Sequence, residues 1–309
     1  ARLLAHAAEG ILRHLGFRLS GPLPWPEIEP YYALFEQPIL APAVREAMHQ
    51  WMTELWAGED LRAVKVEPRR SAILAGPPGC GKTTLAHHFS ARLGMPLICV
   101  QMDALVGSHV GETGRNIASL FESIEGQEDR CVLFMDEFDA VATKRTDDNQ
   151  AAAREMNAAV NALLQRIEVF GGTTIAATNR AEAIDPAMWR RFGLHLDIAL
   201  PGDDERFAIL TRYLEPFRLP EQAMDVLCEA TSGAPPALLR QLMEGIKRDL
   251  ILSPRLNRSA DAKAVFARLL VSVKPHPDYA KPAMWDDRDT RDRVMNISWP
   301  PVLDEREAA

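Results

Sequence analysis

Long apolar runs are missing from these 309 residues; no stretch approaches the ~20 uninterrupted apolar residues of a membrane-spanning helix. Cysteine is scarce. Cys80, Cys99, Cys131 and Cys228 stand far apart, with no CxxC pair and no Cys/His ligand spacing. That argues against a disulfide framework and a zinc site, and it fits a reducing cytosol. Positive charge is in deficit, with 35 Lys and Arg against 43 Asp and Glu for a net charge of −8. A broad nucleic-acid-binding face is therefore disfavoured, and the small Lys65–Arg70 cluster is no extended basic surface. Neither HExxH nor Gly-x-Ser-x-Gly occurs, which removes an attached zinc protease and the nucleophile elbow. Internal repeats and low-complexity tracts are absent too.

What is present is an ordinary globular composition, 47% apolar and 25% charged, on a length that suggests two domains. The chain begins at Ala1, so an initiator methionine is expected to have been removed or to lie upstream. Leu4, Ala8, Ile11, Leu12 and Leu15 fall on one helical stripe and predict a helix over 1–18. His6, Glu9 and Arg13 interrupt that stripe, which makes it an amphipathic helix rather than a signal peptide. Four prolines in 20–30 predict an extended arm or linker. Helical spacing returns over 39–57, where Trp51 and Trp56 are expected to pack the helix.

An alternation then begins. Short apolar strands are predicted at Ser71–Ala75, Pro96–Met102, Cys131–Met135, Thr173–Ala177 and His195–Leu200, with helices at Gly81–Leu93, Glu112–Ile124 and Ala151–Ile167 between them. Such runs imply a parallel sheet covered on both faces. After Pro201–Gly202 only helices are predicted, over 203–270, and 271–309 reads as a charged tail that docks through Trp285 and Trp299. The expected organisation is an arm over 1–37, an α/β domain over 38–202, a helical domain over 203–270 and a tail over 271–309.

Gly76-Pro77-Pro78-Gly79-Cys80-Gly81-Lys82-Thr83 fits G-x-x-x-x-G-K-[ST] in full. Glycines let successive backbone N–H groups turn toward phosphate oxygens, and the following helix aims its positive end at the same anion. Lys82 can reach the β- and γ-phosphates, and the Thr83 hydroxyl can ligate Mg²⁺. Cys80 meets the need for a small residue in that turn. Past the next apolar strand, Asp136 and Glu137 are adjacent carboxylates at a strand end, which burial would penalise without a functional return. Asp136 suits a metal, directly or through water, and Glu137 suits the orientation or deprotonation of an attacking water. Asn179 closes the strand Ile175–Thr178 and can hydrogen-bond a γ-phosphate or that water. His87 and His88 read as ordinary helix-face residues.

In this order the three elements resemble the AAA+ ATPases over roughly residues 38–255. DEFDAVATKR (136–145) is similar to the family's second acidic motif, AIDPAMWRRF (183–192) to its arginine-finger stretch, and SGAPPALLRQL (232–242) to the start of its lid helix. The Arg190–Arg191 pair looks most like the subgroup of spastin, katanin and the ESCRT-disassembling ATPase. The resemblance implies an αβα P-loop domain with a small all-helical lid. Nucleotide contacts fall on Pro78 through Thr84 and on Asp136. Arg190 and Arg191 are then expected to act in trans on the neighbouring subunit's γ-phosphate, in a ring that is most often a hexamer.

Residues 107–112 resemble the family's substrate-gripping pore loop, with His109 in the place of the usual aromatic and Val110 in the aliphatic place. Thr143–Glu155 would be a second pore-facing loop or a solvated one. A sensor arginine would fall near Pro236, and Arg240 is the next candidate. The implied protein is a cytoplasmic Mg²⁺-dependent ATPase that remodels, disassembles or unfolds a protein partner, recruited directly or by an adaptor. A bacterial antiviral or signalling system is one setting for it. The alternative is an ATP-controlled assembly switch or loader that threads nothing, which the imidazole at His109 favours.

Overall fold

The computed structural model describes residues 18–20, 37–106, 111–141, 151–277 and 280–303. The helix expected over 1–17 and most of the Pro-rich arm lie outside these residues. Two compact units result: one holds 42–76 and 82–198 with the N-terminal segment, the other holds 39–41, 77–81 and everything from 199 on.

The first unit is built on a six-stranded sheet. Its strands are β1 (Arg18–Ser20), β2 (Ser71–Ala75), β3 (Leu97–Gln101), β4 (Val132–Asp136), β5 (Thr173–Thr178) and β6 (Leu194–Asp197). The order is β1-β3-β4-β5-β2-β6. Strands β2 to β6 run parallel, and β1 pairs antiparallel with β3, Arg18 opposite Cys99. The helix predicted to run through Arg18 is thus corrected at its end. Backbone there is extended, and it satisfies the N–H and C=O groups that the β3 edge would otherwise leave open. Every residue of β5 is buried. Strands with both faces covered need apolar residues throughout, which is why the sequence shows runs rather than alternation.

Helices α1 (Pro42–Trp56), α2 (Gly58–Ala63), α3 (Lys82–Leu93), α4 (Glu112–Ser123), α5 (Ala151–Val169) and α6 (Pro186–Trp189) complete this unit. Trp51 of α1 is fully buried and stacks on Phe89 of α3 at 4.2 Å. Its indole N–H donates to the Arg69 carbonyl at 2.8 Å, just ahead of β2. Trp56 does not pack as expected and is 57% exposed. Five residues at about 100° each place it on the far side of the helix from Trp51. Asp185 caps α6 by accepting the Ala187 N–H at 2.7 Å, and Pro186 takes the first helical position, where its missing N–H costs nothing.

The second unit contains α7 (Asp203–Leu214), α8 (Glu221–Ala230), α9 (Pro236–Arg255), α10 (Ala262–Ser272), α11 (Ala283–Asp286) and α12 (Arg288–Met295). The all-helical reading of 203–270 needs one correction. Phe217–Arg218 is a short strand, β7, paired antiparallel with Val302–Leu303, β8. Two residues are too few to show an alternating pattern, so the prolines around them read as a plain break. Residues 283–303 share the core of this unit: Met284 and Val294 are buried with Leu239, Leu242, Ile246 and Phe266. Trp285 donates its indole N–H to the Val273 carbonyl, and Trp299 to the Ala260 carbonyl, each at 2.7 Å.

A buried charge network joins α9 to α10. Asp249 accepts from the Ser253 hydroxyl at 2.6 Å and from Arg268 at 2.8 Å (Nε) and 2.5 Å (Nη2). The Arg268 hydrogen bonds hold the Asp249 carboxyl below its ordinary range against the opposing effect of burial. Among the described residues no helix is long and apolar enough to cross a membrane.

Candidate nucleotide site

Strand β2 ends at Ala75, and the glycine turn follows at once with left-handed backbone at Gly79 (φ 77°) and Gly81 (φ 89°). Gly76 (φ 153°) passes so close to β6 that a Cβ there would lie 2.2 Å from the Ile198 carbonyl oxygen. Its N–H donates to the Thr178 carbonyl at 3.2 Å. Only glycine fits. Gly76→Ala is expected to cost about 3 kcal/mol or more, since backbone rather than a flexible side chain must give way. Thermal unfolding together with nucleotide titration checks this; unchanged stability with unchanged binding would sink the steric argument.

Helix α3 begins at Lys82, so its N-terminal N–H groups, which have no acceptor within the helix, follow directly on the glycines. Lys82 is buried at 6% exposure, and its ammonium donates to the Gly76 carbonyl and to Asn179 Oδ1, both at 2.7 Å. One residue on, the exposed Thr83 donates its hydroxyl to Asp136 Oδ2 at 2.9 Å. The other oxygen of Asp136 accepts the Glu137 N–H at 3.0 Å. Glu137 is exposed in left-handed backbone (φ 53°, ψ 43°), a conformation that costs a non-glycine residue about 1 kcal/mol. Lys82, Thr83, Asp136, Glu137 and Asn179 thus meet at the carboxyl end of the parallel sheet, where α/β folds bind ligands.

Pro78 and Cys80 lie in the turn, Cys80 buried, and Thr84 is exposed on α3. Gly79 belongs to the second unit, where its carbonyl accepts the Ala237 N–H at 3.1 Å. His87, one turn beyond Thr83, is pushed down by burial, which the nearby Asp136 charge opposes. All four cysteines are free, and burial raises the Cys131 thiol to about 11.

Among the described residues no group of three or more His, Cys, Asp or Glu side chains could hold a metal alone. The adjacent Thr83 hydroxyl and Asp136 carboxylate are the hard oxygen donors of a Mg²⁺ site completed by phosphates and water. The residues present therefore fit Mg²⁺ delivered with a nucleotide.

Arg190 and Arg191 lie elsewhere. The Arg191 carbonyl accepts the Ser71 hydroxyl at 3.2 Å, at the start of β2, whereas the glycine turn follows its end. At about 3.3 Å per residue, that strand separates the arginines from their own phosphate turn by roughly 13 Å. Arg191 forms an ion pair with Glu168, and Arg190 donates Nε to the Pro186 carbonyl at 3.1 Å. A cleft of about 740 Å³ opens beside them, lined also by Arg70, Ser71 and Asp129. Arg240 pairs with Glu244 at 2.7 Å and lies 5.4 Å over the Tyr213 ring.

His109 and Val110 fall outside the described residues, as does 143–150 of the second proposed loop. Three features around the candidate residues were missed in sequence. Glu168 holds Arg191, and nothing local announces that. Phe138 and Phe192 meet edge-to-face in the core at 5.4 Å, each directly following a site residue. Asp139 reaches β5, and only its place in the DEFD run could have drawn notice.

Residues 72–200 match the family described as ATPase family associated with various cellular activities (AAA). An uncharacterized AAA family ATPase from Sinorhizobium fredii is 41% identical over 164 residues, covering 52% of this chain and 47% of the relative. Proteasome-activating nucleotidases from Pyrococcus abyssi (33% over 185 residues) and Thermococcus kodakarensis (34% over 185 residues) are similar over 58% of this chain and 46% of their own length. The chain spans about half the length of these curated relatives.

Proposed function

Since residues 72–200 of this chain form an AAA-family ATPase domain, we propose that the protein hydrolyses ATP with Mg²⁺ in a ring, most simply a hexamer, and spends that energy remodelling, unfolding or disassembling a protein partner. The observation that carries the reading is the convergence of Lys82, Thr83, Asp136, Glu137 and Asn179 on one strand-end site. The similarity to proteasome-activating nucleotidases supports the coupling of hydrolysis to a protein machine.

The roles follow from the contacts. Lys82 would exchange the Gly76 carbonyl and Asn179 Oδ1 for phosphate oxygens. Thr83 and Asp136 would hold Mg²⁺, which would supply neutralisation of phosphate charge. Glu137, exposed at the strand end, orients the attacking water and takes its proton. Asn179, released by Lys82, donates its amide to the γ-phosphate or to that water. Arg190 and Arg191 act on the neighbouring protomer's nucleotide, and their distance from their own turn supports action in trans.

Glu137→Gln should bind ATP, hydrolyse it slowly and retain a partner that Lys82→Ala does not. The retained protein, once purified, should be unfolded or released from its complex by wild type with ATP and left unchanged by Glu137→Gln. A partner that binds in the ATP state but is never altered would replace the remodelling motor with an assembly switch. Retention of nucleic acid alone would point to a translocase.

A further inference from the structure

We infer that Asp139 is a positioning residue that sets the geometry between Glu137 and Asn179, acting through Thr178 and the Asn179 backbone. Its kinetic consequence rests on the ATPase reading, and its placement on the hydrogen bonds of Asp139 alone. Asp139 Oδ1 accepts two hydrogen bonds from the end of β5, from the Thr178 hydroxyl at 2.8 Å and from the Asn179 N–H at 3.4 Å. Thr178 is only 1% exposed, and its hydroxyl also accepts the Arg180 N–H at 3.0 Å. Its carbonyl takes the Gly76 N–H at 3.2 Å. One buried residue therefore ties together the acidic turn, the glycine turn and the loop that carries Asn179.

Asp139 is itself fixed from below. It sits in the helical turn Phe138–Ala140, closed by Ala140 N–H on the Glu137 carbonyl at 2.8 Å and anchored by the buried Phe138 ring. Glu137 caps that turn at its start, two residues before Asp139. Asn179 continues the chain of contacts, because its Oδ1 holds Lys82. Glu137 directly follows β4 and Asn179 directly follows β5, and the Asp139 carboxylate bridges the turns after these strands. Removing it leaves a buried hydroxyl without its acceptor and lets the Asn179 peptide drift, while the groups proposed to touch phosphate and metal stay in place. The expected defect is therefore in turnover rather than in nucleotide binding.

The test combines kinetics with hydrogen–deuterium exchange. Asp139→Ala should lower kcat about tenfold and change KM for ATP less than about threefold, whereas Asp139→Asn, whose amide oxygen still accepts both bonds, should stay within about threefold of wild type. If Asp139 works through Asn179, the Asp139→Ala/Asn179→Ala double variant should match Asn179→Ala within about twofold instead of multiplying the two losses. Without nucleotide, backbone exchange over 173–183 should speed up in Asp139→Ala and remain slow in Asp139→Asn. Multiplicative losses, or unaltered exchange in Asp139→Ala, overturn the assignment. A wild type whose turnover is absent, and equally absent in Glu137→Gln, instead overturns the ATPase reading, and the exchange result then decides the placement of Asp139 by itself.

Discussion

Two inactive variants, mixed, should make an active enzyme. Glu137→Gln and Arg191→Ala are each expected to retain about 1% or less of wild-type ATP hydrolysis, the first for want of a group to activate water, the second for want of transition-state charge stabilisation. Mixed one to one and allowed to assemble, they should recover activity. The Arg191→Ala protomer supplies an intact Glu137, and a Glu137→Gln neighbour supplies the arginine. Random pairing creates that combination at about a quarter of the sites, so recovery of that order is expected from a finger acting in trans. The expectation comes from placement: the arginines sit at the start of β2, with Arg191 bound to Glu168, and the phosphate turn lies past the other end. A mixture that co-purifies as one assembly yet stays as inactive as its components would sink the trans role.

The second large effect concerns folding. Arg268→Ala should destabilise the protein by about 3 kcal/mol near neutral pH, roughly 10 °C of Tm for a unit of this size, because it strips a buried carboxylate of its main partner. Asp249 is only 7% exposed at its side chain, so solvent cannot substitute for Arg268. The sign with pH is fixed by the direction of the shift. In wild type the Asp249 carboxyl is held below its ordinary value of 3.8, chiefly by Arg268, so its contribution is complete above that value and is lost as pH falls through the lower folded one. In Arg268→Ala the Ser253 hydroxyl at 2.6 Å and Arg258 at 3.5 Å still favour the carboxylate, but burial is no longer outweighed by Arg268, so the carboxyl moves up from its wild-type position and protonation relieves the buried charge. The gap between wild type and variant should therefore be widest near pH 7 and shrink as pH drops below about 4. Thermal unfolding across that range reads it, and adding Asp249→Asn to Arg268→Ala should restore much of the loss. A gap independent of pH would point to packing alone.

Legibility followed length and locality. The five parallel strands could be read because strands buried on both faces must be apolar throughout, and Ser71–Ala75 appears with the bounds expected of it. The glycine turn was legible because phosphate chemistry dictates residue types at fixed spacing. Phe217–Arg218 and Val302–Leu303 were not, since a two-residue pairing across the length of a domain leaves no periodicity. Trp51 and Trp56 looked alike in composition and differ in burial through helical phase alone. Asp139 and Glu168 lay beyond sequence reasoning for a different reason. Each is an ordinary acidic residue locally, and its meaning comes from which strand end or helix the fold sets against it.

The Phe138–Phe192 contact carries a consequence for order in time. Phe138 follows Glu137, the carboxylate proposed to act on a protomer's own ATP, and Phe192 follows Arg190 and Arg191, the arginines proposed to act on a neighbour's. Both rings are buried, so a shift of one displaces the other. In a closed ring each protomer lends its arginines to one side only. Firing at one site would then reset the arginines offered to a single neighbour, and turnover would travel around the ring with a handedness fixed by that pair of rings.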